Sequence, residues 1–335
     1  MSNIIYIFTA VYLFSLALAA EVDLEQTPKR GQLRRKNRGR KRQQFLESEN
    51  GRTQRLKAVT VNYPIEMFDS KINWRAPAKL NSVFKNQCDN DASYTEQSRA
   101  QDQEDLWIYE NWFYGMENGV IMESGALDGI LFSNSYFYEK VANWTAIHVE
   151  ADPENYANLM LNRPHAVNVN GALCSESRPL HYSSEGVIPV RGFIEFMTAS
   201  FIKKWHGKVH NGVVKIEDLP TVQCVPVRHL LHQLHVTHVD LWILDVEGAE
   251  ESVLRGTDFK AVSFNIVAME CDEHDILKNA RKTDILEANG FQCKLIERNC
   301  MCKHRSYQPS ARREKSLLKK YDGHSWTKTY VNKGF

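Results

Sequence analysis

The sequence predicts an α/β fold built on a mostly parallel sheet, and three observations carry that prediction. From Trp107 onward, short apolar runs alternate with helix-compatible segments of about ten residues, the rhythm of βαβ units. Two of those runs, Gly119–Glu123 and Thr145–Glu150, end in a carboxylate. A turn bearing two glycines, Gly125 and Gly129, follows the first of them.

Taken in order, Gly119–Glu123 is the first strand, and the aromatic-rich stretch Ser133–Val141 is the helix after it. Thr145–Glu150 is the second strand. Pro153 opens the next helix at its first position, where the missing N–H costs nothing, with Asp152 as cap. Ala166–Asn170 is a third strand. Residues 175–220 break the rhythm with Ser, Gly, Pro and an amphipathic piece from Phe193 to Trp205, and read as an insertion over the carboxyl edge of the sheet. The rhythm returns at Val225–Leu234, then come a buried strand at Val239–Leu244, a helix starting at Glu250–Leu254 and a strand at Phe264–Met269. Asp275–Asn289 is a helix closed by Gly290, and Phe291–Ile296 is a strand. From Lys303 the tail is basic and aromatic without a clear period.

Ahead of this domain lie three segments. Residues 1–20 carry no charged side chain and end in Ala17, Ala19 and Ala20, which reads as a cleaved secretory signal or an uncleaved signal anchor through residues 4–20. Residues 21–57, with nine Lys/Arg already in 21–42, form a polar basic run and read as a disordered linker. Residues 58–105, with Trp74, Phe84 and Cys88 as scattered anchors, read as a partly helical extension. The α/β domain is then 106–300 and the basic tail 301–335. The formal net charge is +1 over 335 residues, and with a basic leader the domain itself is mildly acidic, which excludes nucleic-acid binding by bulk charge.

The seven cysteines fit an oxidising compartment, and their odd number leaves at least one unpaired or bound to another chain. Cys293, Cys300, Cys302 and His304 could form a zinc site, although disulfides suit a chain behind a signal sequence better. Asn143-Trp144-Thr145 is a glycosylation acceptor sequence. These features place the domain in the endoplasmic reticulum or Golgi lumen, or outside the cell.

Three clusters could carry chemistry. Glu123-Ser-Gly125-Ala-Leu-Asp128-Gly129 follows a strand, where glycine allows a tight turn and a ligand's close approach. Nucleotide-like ligands bind at that edge of open α/β sheets, yet a glycine pair also serves merely as a turn. Glu150 follows Gly125 by close to the ~20 residues of a nucleoside-binding unit, and a carboxylate there suits an unphosphorylated ribose. Asp245, Glu247 and Glu250 follow a buried strand, and carboxylates there are costly unless solvated or used. Glu250 favours the positive end of the next helix, whereas Asp245 and Glu247 have no such compensation. Glu270, Asp272 and His274 gather on the same edge. No ligand cluster stands beside the glycine turn, so no metal is expected.

The block Glu123–Gly129, together with Ser133–Phe137, Glu139-Lys140, His148–Tyr156, Asn170–Cys174 and Asp240–Glu250, resembles the FkbM-type S-adenosylmethionine-dependent methyltransferases. The resemblance covers neither leader nor tail. It implies a class I methyltransferase (Rossmann-like) fold, an α/β sheet of six parallel strands and one antiparallel strand flanked by helices. It implies S-adenosylmethionine at Glu123, Gly125, Asp128, Gly129 and Asn134, the ribose on Glu150, and the adenine near Asn170 and Ala172. Where the broader class often has a second glycine, this chain has Leu127. Relatives methylate hydroxyl oxygens, including those of sugars, so the implied acceptor bears a hydroxyl, with a glycan as leading candidate. Its proton needs a base, for which Asp245 or Glu247 is the first choice, with Glu270, Asp272 and His274 in reserve.

A second class follows from the same layout. An apolar leader, polar stalk and FkbM-like domain are also shared by the membrane-anchored trafficking protein Star. That likeness implies a non-catalytic factor exporting a cargo protein between endoplasmic reticulum and Golgi. The presence of Glu123, Gly125, Asp128, Glu150 and Asp245 favours an intact cofactor pocket.

Overall fold

The computed structural model describes residues 77–271 and 275–314. The leader, the linker, Trp74, Asp272 and His274 lie outside the described residues. The apolar runs become one seven-stranded sheet: β1 (Val120–Ser124), β2 (Thr145–Glu150), β3 (Val167–Asn170), β4 (His238–Leu244), β5 (Ser263–Glu270), β6 (Phe291–Ile296) and β7 (Asn299–His304). The order across the sheet is β6-β7-β5-β4-β1-β2-β3. β1 to β5 pair in parallel, and β7 runs antiparallel to both its neighbours. This is the class I methyltransferase arrangement implied by the sequence.

Period-two alternation divides the core. Val120, Met122, Trp242 and Leu244 point to one face, where they pack with Ile147, Val253, Phe264 and Leu286. Ile121, Leu241, Ile243 and Ile266 point to the other, against Tyr109, Phe113, Phe137, Tyr138 and Trp144. β1 and β4 are covered on both faces, so their sequences read as continuous apolar runs. Chain order turns back on itself between β1 and β4, which opens a crevice beyond their carboxyl ends.

The helix signals hold locally. Asp152 Oδ1 accepts from Glu154 N (2.8 Å) and Asn155 N (3.2 Å) and starts the helix Pro153–Asn162. Asp275 Oδ1 accepts from Lys278 N at 2.9 Å and starts Ile276–Ala288, which ends before Gly290 at φ +93°. The extension is helical over Ser82–Asn90, capped by Asn81. The buried Asp240 carboxylate ties it down, accepting from Ala78 N and Val120 N, each at 3.0 Å to Oδ2.

Residues 175–220 interrupt the large sheet between β3 and β4 and carry strands of their own. They contribute Arg178–Ser183 and Gly192–Phe193 to a small four-stranded sheet with Ala172–Leu173 and Thr221–Val225, locked by a Cys174–Cys224 disulfide. These strands pair across long loops and alternate poorly, so no local period announces them. The zinc alternative falls, because Cys271–Cys300 and Cys293–Cys302 are disulfides. Cys300, Met301 and Cys302 are buried in β7, a strand the sequence reading assigned to the tail boundary. The packed chain continues further: Arg313 Nη1 donates to Tyr114 Oη (2.7 Å), Cys88 O (2.9 Å) and Tyr94 Oη (3.1 Å). Cys88 is the free, buried cysteine. Among the described residues no helix is long and apolar enough to cross a membrane.

Candidate active site

The turn after β1 sets the geometry. Gly125 has φ +87°, and a Cβ built on it would lie 1.8 Å from the carbonyl oxygen of Asp245. Only glycine satisfies both conditions. Asp245 N donates to Ser124 O at 3.1 Å and Gly125 N to Val149 O at 2.9 Å, so the turn is pinned to β4 and β2 together. Leu127 takes φ +49° at the position where glycine was expected. A left-handed leucine costs roughly 1–2 kcal/mol. Its N–H donates to Glu150 Oε2 at 2.8 Å, a hydrogen bond worth about 0.5–1.5 kcal/mol that offsets part of that cost. Asp128 Oδ1 closes the turn by accepting from Leu131 N (2.7 Å) and Ile130 N (2.9 Å). Gly129 leaves no room for a side chain, since its Cβ would meet Arg163 Cγ at 2.6 Å.

Glu123 is buried and faces the far end of this loop. Its carboxylate accepts from Asn134 N (2.6 Å), Ser135 Oγ (2.6 Å) and Ser133 Oγ (2.9 Å). Burial raises its pKa against those donors and Arg163. Arg163, fully buried, donates to Glu139 Oε2 (2.8 and 3.0 Å), Gly129 O (2.9 Å) and Ser133 Oγ (3.2 Å). His148 lies between Ser135 Oγ (2.8 Å) and Asn168 Oδ1 (2.7 Å), and burial, with Arg163, pushes it down to about 3, so it is neutral. Glu123 is therefore held by the loop's own hydroxyls. Asn134 is buried and its Oδ1 has no hydrogen-bond partner among the described residues.

Glu150 ends β2 beside this loop. Besides Leu127 N it accepts from Asp152 N at 2.7 Å, and burial, with Asp152 adding, pushes it up to about 8. Asn170 Nδ2 donates to Glu150 O at 2.9 Å, which brings the expected ribose and adenine residues together. Ala172, two residues further on, is buried with Cys174, Leu180 and Cys224, a cluster that packs against Ala151.

The third cluster gathers at the ends of β4 and β5. Asp245 is exposed, Glu247 is half-buried at φ +51°, and Glu250 is buried. Glu250 Oε1 accepts from Gly248 N (3.0 Å) and Val246 N (3.2 Å). Carboxylate oxygens of Asp245, Glu250 and Glu270 lie within 4.8 Å of one another, on the edge where the sequence puts all three. Lys282 Nζ is 3.6 Å from Glu250 Oε2 and donates to Glu270 O at 2.5 Å. Crowding by protein pushes Asp245 up to about 6, with Arg298 and Lys282 pulling against Glu250. Glu247 is raised well above the carboxylate range by burial and by Glu270 and Asp245. Two walls flank this cluster. Gly192 of the insertion approaches Glu247, since its Cβ would lie 3.3 Å from Glu247 Cβ, and Lys278 Nζ donates to Phe196 O at 3.0 Å. On the other side Arg298 reaches Gln101 and Asp102. Arg298 and Lys282 escaped the sequence reading because a lone cation outside a motif carries no signal.

A methyltransferase FkbM domain family model matches residues 123–293, just over half of the chain. No curated protein matches the chain. Similar solved structures include the methyltransferase FkbM from Methylobacillus flagellatus KT, at 14% identity and TM-score 0.35, covering 67% of this chain and 56% of that one. A SAM-dependent methyltransferase from Aquifex aeolicus is similar at 12% identity and TM-score 0.31, covering 67% and 97%. Aeropyrum pernix fibrillarin, in complex with natively bound S-adenosyl-L-methionine, is similar at 15% identity and TM-score 0.31, covering 56% and 66%. The chain belongs to the FkbM methyltransferase family. It is an S-adenosylmethionine-dependent methyltransferase and binds a methyl acceptor.

Proposed function

We propose that the chain methylates a hydroxyl oxygen, with a glycan as the leading acceptor, in the secretory pathway. The observation that supports this reading most is the close approach of Gly125 to the backbone carbonyl of Asp245, which brings the turn that carries this carboxylate residue against the glycine turn. The residues fit the cofactor. Glu150, Asn134 and Asn170 offer oxygens around the turn, and Asn134 Oδ1 is buried without a partner. When bound, S-adenosylmethionine supplies an activated methyl group on a sulfonium. Glu150 would hold the ribose hydroxyls; Gly125, Asp128 and Gly129 shape the turn, and Glu123 fixes it from behind.

Asp245 would take the acceptor's proton. Its solvent access lets an acceptor reach it, and a value of about 6 leaves it ionised at neutral pH while still basic enough to work. Glu247 would orient the acceptor. Burial and the neighbouring Glu270 and Asp245 raise its pKa, and its carboxyl lies beside the insertion wall, where it could grip a second hydroxyl. The insertion 192–197 would form the acceptor wall. Asp245→Asn should abolish methyl transfer to a hydroxyl acceptor while S-adenosylhomocysteine still binds in calorimetry; undiminished turnover would refute the assignment. Tight cofactor binding with no turnover on any glycan would favour the trafficking alternative.

Three disulfides support an oxidising compartment, and they are joined by an accessible glycosylation sequence. Asn143 is exposed at φ +54° just before β2, with its Nδ2 donating to Asn118 Oδ1 at 2.7 Å. Cleavage or retention of the segment 4–20 decides between a soluble and an anchored enzyme.

A further inference from the structure

Asp105, in the short helix Glu104–Ile108 of the extension, is fully buried and half satisfied. Its Oδ1 accepts from Ser98 Oγ (2.7 Å) and Leu106 N (2.8 Å), whereas Oδ2 has no hydrogen-bond partner among the described residues. A buried carboxyl oxygen left unpaired costs roughly 1–3 kcal/mol or more, and an orphan of this kind marks a place where something else binds.

The surroundings say what that is. Tyr138 Oη donates to Asp105 O at 3.0 Å, which fixes Asp105 against the helix Ser135–Val141 that begins at Asn134. Arg99, one residue beyond Ser98, stacks over Tyr136 at 5.0 Å. Glu123, at the end of β1, is an electrostatic neighbour of Asp105. Asn134, whose N–H binds Glu123 Oε1, carries the second orphaned oxygen of this region. The nearby buried cation, Arg163, is already engaged by Glu139, Gly129 and Ser133. Unpartnered acceptors at Asn134 and against the helix that follows it, backed by a carboxylate and with Arg163 already engaged, suit an ammonium group.

We propose that Asp105 is a further cofactor-binding residue, whose Oδ2, with Asn134 Oδ1, accepts from the α-ammonium group of the cofactor's methionine end. This rests on the cofactor seat at residues 125–134. Burial, with Glu104 and Glu123 adding, pushes Asp105 up to about 8, so the ligand-free pocket holds it protonated and the incoming ammonium ionises it.

The test is calorimetry on the full oxidised chain with two ligands: S-adenosylhomocysteine, and its analogue with hydrogen in place of the α-amino group. Asp105→Asn keeps the shape and removes the charge. It should weaken S-adenosylhomocysteine about tenfold or more, as expected for a charge-assisted bond, and leave the deaminated analogue within about twofold. Asn134→Ala should show the same selectivity with a smaller loss. Equal losses for both ligands, or none, would overturn the role of Asp105 and leave the cofactor seat standing. Failure of the unaltered chain to bind either ligand would overturn the seat itself, and this proposal with it.

Discussion

The Cβ that Gly125 lacks would lie 1.8 Å from the carbonyl oxygen of Asp245. The turn after β1 and the turn after β4 are thus in backbone contact, and the candidate base cannot move independently of the cofactor loop. Gly125→Ala should be severe: a left-handed alanine costs about 1–2 kcal/mol and overpacking adds about 1–3 kcal/mol. Chemical unfolding should show a loss of at least ~2 kcal/mol, with cofactor binding lost in whatever folds.

Base catalysis by Asp245 fixes the pH profile. The carboxyl must be ionised to accept a proton, so kcat/KM should climb as pH rises through about 6 and level off above it. Asp245→Asn should lower kcat by about 10²–10⁴-fold. A profile flat from pH 5 to 8 on the same acceptor would argue against Asp245.

Stability should run the other way. Glu150 and Asp105 are each pushed up to about 8 by burial. A carboxyl raised on folding stabilises fully below its ordinary value, and that contribution is lost as pH climbs through the folded value. The ligand-free protein should therefore weaken steadily from about pH 5 to pH 8. Glu150→Gln should flatten the slope, read from urea unfolding with disulfides intact.

Loop length ranks the disulfides. Cys174–Cys224 closes a separation of 50 residues and Cys293–Cys302 one of 9. Chain-entropy loss gives about 4 kcal/mol for the long loop and about 2.5 kcal/mol for the short one. Paired Cys→Ser variants compared by thermal unfolding should keep that order.

Much of the sheet was legible because it is buried on both faces. Val120–Met122 and Leu241–Leu244 leave no reading other than core strand once their lengths are considered. The cap at Asp152 was equally plain, since its side chain bonds donors two and three residues away, whereas Asp275 reads as the first helical residue and turns out to be the cap. The small sheet and β7 were not legible, because their partners are distant and disulfides stand in for apolar alternation. In the site, Glu150 and Asp245 were visible as carboxylates at strand ends. Glu123 carried the same pattern and yet turns inward to Ser133 and Ser135, a direction that sequence does not encode. Asp105 was invisible because its meaning lies in an unfilled hydrogen bond.

Calorimetric titration of the full-length, disulfide-bonded chain with S-adenosylhomocysteine tests the account most directly. Saturable one-site binding that disappears in Glu150→Ala is the predicted result. A folded, monodisperse protein that takes up no heat of binding, or a Glu150→Ala variant that binds as tightly as the parent, would contradict it.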